Sequence, residues 1–196
     1  MAKAFKRKGD RFVAHLDEVE REVVVSLLEQ TQAFLEPAYR EPTGNTLDDL
    51  LATIGVSQPG DSVLDDPQVP RDPALERMLP SAHRGDPAMA AEFRRLTEQG
   101  LRERKTANLA ATIEALEAAE GDKISLSLEQ AQATVVALTD VRLLLGERLG
   151  LRTDEDAEYL QDRLEAASED DPELFLAAYY DFMTWLQESL TQALMA

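Results

Sequence analysis

Residues 179–190 read YYDFMTWLQESL, and this stretch decides the expected fold. Five of the chain's 11 aromatic residues fall within positions 175–185, which overlap this stretch: Phe175, Tyr179, Tyr180, Phe182 and Trp185. Aromatic rings bury large areas and dominate the energetics of a hydrophobic core. The stretch therefore predicts a C-terminal helix that organises the core. Because rings are also enriched at binding hot spots, a partner-binding face that includes Tyr180 and Trp185 is the alternative.

The first 16 residues carry the pattern of a β-hairpin. Two short runs flank the turn pair Gly9-Asp10, and Phe12 and Leu16 lie on one side of the second run. Residues 123–127 (KISLS) alternate as well and predict a short strand that can pair with the hairpin. Five basic residues decorate it: Lys3, Lys6, Arg7, Lys8 and Arg11. Such charges usually prevent edge-to-edge aggregation, and anion binding is the alternative.

Helix signals fill most of the remaining chain. Asp17 is suited to cap a helix that runs to Leu35, whose wide apolar face predicts a central packing element. Aspartate before proline starts a helix well, because the carboxylate accepts from free N–H groups and proline lacks a donor that would be unpaired. Three such pairs occur: Asp72-Pro73, Asp86-Pro87 and Asp171-Pro172. Ser127 and Gln130 predict a capping box before a strongly apolar helix, and residues 153–167 predict a short acidic one.

Residues 87–120 carry two apolar stripes that do not align. The first consists of Met89, Phe93 and Leu96, and the second of Leu101, Leu109, Ile113 and Leu116. At 100° per residue the two stripes are displaced by more than about 90°. A straight helix would need neighbours on different sides, so the sequence predicts a break or kink near Gly100.

These elements predict a single domain of the α+β class that is predominantly α. It is a helical bundle of five to six helices with a small N-terminal β-hairpin, which a third strand can extend to a three-stranded sheet. The expected parts are a hairpin at 1–16, a central helix at 17–35, a Pro-rich loop region with short helices at 36–87 and a helical core at 88–196. Within the loop region, Pro37 should end the central helix and residues 46–55 (TLDDLLATIG) should form a short one.

The chain is strongly acidic. It has 196 residues and a formal net charge of -18 at pH 7. Such a surface repels nucleic acid and anionic membranes at long range, so we expect no direct nucleic-acid or membrane binding. The chain has no cysteine, which excludes disulfides and thiolate chemistry. It also has no signal-peptide pattern and no apolar run long enough to span a membrane, so we expect a cytoplasmic protein.

Motifs for catalysis or cofactor binding are scarce. The sequence has no G-x-S-x-G elbow, no H-E-x-x-H pattern and no glycine-rich phosphate loop. Its two histidines, His15 and His83, lie far apart. Residues 154–158 (DEDAE) are better explained as the start of a helix than as a calcium loop, because Tyr159 stands where that loop needs glycine. We therefore expect no enzyme activity, no metal and no cofactor.

The densest basic group predicts the interaction surface, and its members are Arg94, Arg95, Arg102, Arg104 and Lys105. On a straight helix all of them except Arg104 would share an arc of about 100°. Lys105 and Asn108 also fall inside the second apolar stripe. Lys105 could extend to solvent while Asn108 satisfies a backbone group, or the two could form a polar anchor inside a pocket or interface. The candidate interaction residues are Arg94, Arg95, Arg102, Lys105, Asn108, Tyr180 and Trp185.

Four segments, in their order and spacing, resemble one family. They are DPALERMLP (72–80), LRERKTANL (101–109), TDVRLLLGERLG (139–150) and YDFMTWLQESL (180–190). Together they resemble an actinobacterial family, long known only as a domain of unknown function, of oxidative-stress transcriptional regulators. The resemblance spans nearly the whole chain. It implies a cytoplasmic, non-enzymatic protein that modulates transcription through protein partners such as a sigma factor or RNA polymerase.

The chain departs from this family in one respect. Such regulators have been associated with a redox-reactive cysteine pair, and this chain has no cysteine. Oxidation of Met78, Met89 or Met183 would have to take that role. Two other functions stay open. A helical homodimer or constitutive subunit predicts an exposed apolar patch, and a small-molecule-binding domain predicts a closed pocket with a perturbed acid.

Overall fold

The structure is a computed structural model that describes residues 2–36, 72–80, 86–166 and 171–196. The predicted helix end at Pro37 and the predicted short helix at 46–55 lie outside the described residues.

The N-terminal hairpin forms as predicted and gains a third strand. Strand β1 (Lys3–Lys8) pairs antiparallel with β2 (Arg11–His15), which in turn pairs antiparallel with β3 (Lys123–Leu126). Gly9 makes the hairpin turn with a φ of 65°, a left-handed conformation that glycine adopts without steric strain. The alternation around Ile124 therefore predicted the strand that completes the sheet.

The described residues include six helices, α1 (Glu18–Leu35), α2 (Pro73–Met78), α3 (Pro87–Glu117), α4 (Leu128–Arg148), α5 (Asp154–Ala166) and α6 (Pro172–Met195). All three Asp-Pro pairs cap helices as predicted, because each aspartate carboxylate accepts from backbone N–H groups of the first turn. Capping boxes form at both Asp17 and Ser127. The fold is α+β and predominantly α, as predicted.

Helix α4 lies at the centre of the bundle. It packs against α1, α2, α3 and α6 and also touches the sheet. Its buried residues cover more than half of its circumference. The inner face of the sheet closes the core from one side, with Ala14, Ile124 and Leu126 fully buried. From the other elements come the buried side chains of Leu28 in α1 and Leu109 in α3.

The C-terminal helix organises the core, but not through its rings. Met183, Leu186 and Leu190 are at most 2% exposed and face α4 and the sheet. The aromatic side chains are half-buried, and Phe175 is 54% exposed. The prediction of a core helix is therefore confirmed, and four of its five rings pack against the buried core while they keep part of their surface in solvent. The fully buried residues of α6 are small or aliphatic, whereas the rings pack at the rim of the core.

The predicted break at Gly100 is wrong, whereas the alternative of a kink there stays a prediction. Helix α3 runs as one 31-residue element from Pro87 to Glu117. The second stripe packs into the core, with Leu109 fully buried and Leu116 at 3% exposure. The first stripe lies on the opposite side of the helix and stays exposed. Because only one of the two stripes meets the core, a continuous helix satisfies the pattern.

Candidate interaction site

Five of the seven candidate residues lie on α3, and the structure gives different roles to those whose side chains it describes. Arg102 joins two helices. Its Nη1 donates to the carbonyl oxygen of Leu35 at the C-terminal end of α1, and its Nη2 donates to Glu98 Oε1 at 2.7 Å. A cation at a helix C-terminus is favourable, because the last carbonyls carry partial negative charge. Arg102 therefore stabilises the α1–α3 contact and offers little surface, since its side chain is 12% exposed.

Lys105 turns inward and forms a buried ion pair. Its Nζ lies 2.5 Å from Oδ1 of Asp140 on α4, and the two side chains are 14% and 1% exposed. The interpretation in which Lys105 extends to solvent is therefore wrong. Each of the two facing helices contributes one charge, and the charges meet across the α3–α4 interface.

The carboxyl of Asp140 is held in an unusual environment. Burial raises its pKa, and the hydrogen bond and charge of Lys105 oppose that rise. Its second oxygen, Oδ2, is buried without a hydrogen-bond partner among the described residues. A buried polar atom without a partner costs stability, so the pair positions α3 against α4 at some energetic cost. The carboxyl has no access to solvent, which leaves it unsuited to act on a substrate.

Asn108 lies one turn further along α3, where a polar seam continues. Its carbonyl oxygen accepts from Thr112 Oγ1 at 2.8 Å, and that hydroxyl lies 3.4 Å from Thr134 Oγ1 on α4. Both threonines are nearly fully buried. Asn108 itself is half-buried. The seam, like the ion pair, belongs to the helix interface and not to an open pocket.

Arg94 lies on the half of α3 that precedes Gly100. It is half-buried, and its Nε is buried without a hydrogen-bond partner among the described residues. The side chain of Arg95 lies outside the described part of the chain. The three basic candidate residues whose side chains are described, Arg94, Arg102 and Lys105, therefore do not form one open surface. Arg102 and Lys105 are bound within the fold, and Arg94 points to the same side of the helix as they do.

The most exposed apolar feature of α3 is its first stripe. We call Met89, Phe93 and Leu96 the apolar stripe; their exposed fractions are 55%, 43% and 68%. At 100° per residue it lies roughly opposite Lys105 and Leu109. Here the helix presents apolar side chains to solvent along three positions spaced one turn apart.

Tyr180 takes part in a polar network between α4 and α6. The guanidinium of Arg142 donates to Thr184 Oγ1 at 2.8 Å and to Gln187 Oε1 at 2.6 Å. It also lies 5.3 Å from the centroid of the Tyr180 ring, a cation–π contact. Gln187 in turn donates to Thr139 Oγ1 at 2.6 Å. Tyr180 therefore helps to align the two helices.

Trp185 packs at the rim of the core. It is half-buried and stacks on Phe182 with ring centroids 5.9 Å apart and an angle of 14° between the planes. The pair contacts the buried core and keeps part of its surface in solvent. Neither Trp185 nor Tyr180 belongs to the apolar stripe.

Sequence reasoning missed Asp140 and Arg142. Both stand in the run TDVRLLL of α4, where charged side chains interrupt an apolar helix. A charge at such a position needs a partner when the helix is buried on most sides, and this was the available signal. The partner of Asp140, Lys105, was recognised as unusual for the same reason. The missing step was to pair two charges that lie 35 residues apart.

The described residues show little that could support metal or membrane chemistry. Among them, no three His, Asp or Glu side chains come together as a metal site. None of the described helices combines the length and the apolar character needed to cross a bilayer. A groove between α1 and α3 is lined largely by charged side chains, among them Arg21, Glu29 and Glu117. Among the described lining residues, Ser26 supplies a hydroxyl group, which accepts from Gln30 Nε2 at 3.0 Å.

Comparison with protein families identifies the family of the chain. Residues 2–194 match the sequence profile described as a domain of unknown function, DUF2017. No curated protein matches the chain, and no solved structure matches it. The match covers almost the whole length, so the packing helices, the buried ion pair and the apolar stripe all lie within the matched region. The chain therefore belongs to the DUF2017 family, whose function is unknown.

Proposed function

We propose that this chain is a non-enzymatic cytoplasmic regulator that acts by binding other proteins. The observation that carries the proposal is the apolar stripe on α3. Three large apolar side chains at positions i, i+4 and i+7 face away from the core, and this spacing is the one that helices use for recognition. Folding does not require such a stripe, because the opposite face of the same helix already packs against α1 and α4.

The size of the stripe favours a transient contact. Its three side chains expose roughly 300 Å², whereas a stable interface buries about 800 Å² on each partner. The stripe alone is therefore too small to hold a permanent homodimer. It fits a regulatory contact that forms and dissociates.

The charge of the chain points to the chemistry of the partner. A protein with a net charge of -18 attracts basic surfaces and repels acidic ones. On this argument the stripe binds in an apolar groove of a protein that has a basic surface. The resemblance to actinobacterial oxidative-stress transcriptional regulators supports a sigma factor or RNA polymerase as that protein.

The redox sensing that the resemblance implies would need a residue other than cysteine in this chain. With no cysteine, a disulfide switch cannot form. Met78 and Met183 are at most 1% exposed, whereas Met89 is 55% exposed on the stripe. Of the three methionines considered, Met89 is thus the one that an oxidant can reach. Its oxidation would place a polar sulfoxide among apolar side chains.

The proposal is tested by affinity capture with a matched pair of variants. Phe93→Ser/Leu96→Ser removes two side chains of the stripe. Leu128→Ser/Val136→Ser removes two exposed apolar side chains from α4 and serves as the control. Each tagged protein is incubated with the native cytosol and with purified RNA polymerase, with and without peroxide. We expect the wild type and the control to recover a sigma factor or polymerase subunits in stoichiometric amounts and the stripe variant to lose them.

Other outcomes contradict the proposal. Equal recovery by the stripe variant would show that partner binding does not use the stripe. Recovery of the bait alone, together with a dimer mass in sedimentation, would assign the chain to a self-contained homodimer. Binding that is indifferent to peroxide would leave the protein a regulator but remove redox sensing from its role.

A further inference from the structure

The outer face of the sheet is distinct from the rest of this acidic molecule. The inner face is set by Phe12 and Ala14, which pair with Leu126 and Ile124 and are at most 3% exposed. Successive side chains of a strand point to opposite faces. The neighbours of Phe12 and Ala14 on β2, and the residues paired with those neighbours, therefore point outward.

Six of these eight outward positions carry a basic side chain. We call these six the basic face, which consists of Lys3, Lys6, Lys8, Arg11, His15 and Lys123. All six are exposed except His15, which is half-buried. The other two outward residues are Ser125 and Val13, and Val13 is only 5% exposed. The three strands contain no aspartate or glutamate. In a chain with 38 acidic residues among 196, this is a marked segregation of charge.

The cations of the basic face are not neutralised within the fold. On the helices, cations such as Arg77, Arg102 and Lys105 form ion pairs with carboxylates. No ion pair is found for the lysines and the arginine of the basic face within the described part of the chain. Arg11 instead donates to the carbonyl oxygen of Ser125 at 2.6 Å, so that it lies across the face from β2 to β3.

We propose that the basic face binds a short acidic segment of a partner protein. Across the sheet the unpaired cations lie on neighbouring strands, and along a strand they lie two residues apart. They therefore present a regular array to carboxylates. The face attracts anions locally although the chain as a whole repels them, and this restricts binding to an anion small enough to stay on the face.

The dimensions of the face favour a peptide segment over nucleic acid. Three strands span about 10 Å, and a six-residue strand spans about 20 Å. A nucleic acid carries its charge continuously along its length. A nucleic-acid strand longer than the face would meet the acidic residues at its margin, where Asp10, Glu120 and Asp122 are exposed, and would be repelled there. A peptide segment with only a few acidic residues fits within the face and avoids this repulsion.

The segment should lie across the face and not extend the sheet. A strand added to β1 would need free backbone groups along that edge. The amide of Phe5 is already used, because it donates to Ser189 Oγ of α6 at 3.2 Å. The register of β1 is also irregular between Lys3 and Lys6. Side-chain cations, and not the backbone edge, therefore supply the binding groups.

This proposal goes beyond the proposed function, because it uses a different surface. The apolar stripe begins near the N-terminal end of α3, and the C-terminal end of α3 leads to β3. About 20 residues of helix, roughly 30 Å, separate the two. Loss of peptide binding by the basic face can therefore be measured without loss of partner binding by the apolar stripe, and the reverse also holds.

The test uses a fluorescein-labelled octaglutamate peptide and the full chain, with binding followed by fluorescence anisotropy. Lys6→Glu and Lys123→Glu reverse one charge on different strands of the face. Arg104→Glu makes the same change of net charge at an exposed position of α3 and serves as the control. We expect each face variant to weaken binding about fivefold and the control to change it less than about twofold.

Salt and competing ligands complete the test. Affinity should fall steeply between about 0.05 M and about 0.5 M NaCl, because the contacts are exposed charges. Equal weakening by all three variants would overturn the proposal, since net charge alone would then explain binding. Tighter binding of an octathymidylate strand of similar charge would assign the face to nucleic acid. Salt-dependent self-association that Lys6→Glu abolishes would assign it to a second copy. Absence of octaglutamate binding at low salt would also overturn it.

Discussion

The two halves of α3 have similar sequence patterns and opposite environments. Before Gly100, the apolar side chains at 89, 93 and 96 are between 43% and 68% exposed. After Gly100, Leu109 and Leu116 are buried, and Lys105 reaches Asp140 in the interior. Both halves show large apolar residues at helical spacing, yet only the second half buries them in the core.

This difference shows what helical periodicity can and cannot establish. Periodicity determines which side chains share a face, because 100° per residue is a property of the backbone. It does not determine whether another element covers that face. The predicted break at Gly100 assumed that both stripes must be buried, and the structure shows that one of them is not.

The largest expected effect is at the buried ion pair in the covered half. Lys105→Met leaves the carboxyl of Asp140 buried without its partner, which should lower the free energy of unfolding by about 3–5 kcal/mol at neutral pH. Urea denaturation measures this loss. The double variant Lys105→Met/Asp140→Leu should recover most of it, because an apolar pair of similar volume carries no buried charge. A double variant as unstable as the single one would contradict this account.

The same variant has a defined pH dependence. Burial raises the pKa of Asp140, so its charged form is disfavoured in the folded state, and the stability cost appears as pH rises through that raised pKa. Without Lys105 the pKa should rise further. The loss of stability in Lys105→Met should therefore be smaller near pH 5 than near pH 7, by roughly 1 kcal/mol or more. An equal loss at both pH values would show that Asp140 remains charged.

The next effect compares the two halves directly with the same substitution. Leu109→Ala removes a fully buried side chain and should cost about 2–5 kcal/mol, because a cavity forms in the core. Leu96→Ala removes a side chain that is 68% exposed and should change stability by less than about 0.5 kcal/mol. Thermal or urea unfolding of the two variants tests this. Similar losses for both would mean that the apolar stripe is covered within the folded chain.

The smallest effect lies at the boundary between the halves. Gly100 is helical, and an added Cβ would meet no atom within 4 Å. Gly100→Ala should therefore raise the free energy of unfolding by about 0.5–1 kcal/mol, since alanine loses less backbone entropy in a helix. Gly146→Ala is the useful contrast, because its Cβ would lie 3.4 Å from the ring of Tyr180. Destabilisation by Gly100→Ala would point to a local distortion of α3 at that residue.

Local signals predicted most of the architecture. The Asp-Pro pairs, the Asp17 cap, the Ser127 capping box and the Gly9 turn act over four residues or fewer, so their physical cause is present in the sequence itself. The third strand followed from alternation around Ile124. These elements, and the α+β class that they imply, were predicted correctly.

The candidate site was predicted less well, because its contacts join distant parts of the chain. Lys105 and Asn108 were recognised as polar residues in an apolar stripe, but Asp140 and Arg142 were not linked to them or to Tyr180. The aromatic residues of α6 were assigned to the core by their size. Their positions on the helix place them at the rim, and that depends on where α4 lies.

The sequence by itself determined the helices, the strands, their ends and the excess of negative charge, because these depend on neighbouring residues and on composition. Only the tertiary structure decided which apolar faces are covered. It also decided that Lys105 meets Asp140 and that the basic residues of three strands share one outer face. Burial and charge pairing depend on distances between segments far apart in the chain, and those distances exist only after the helices have packed around α4.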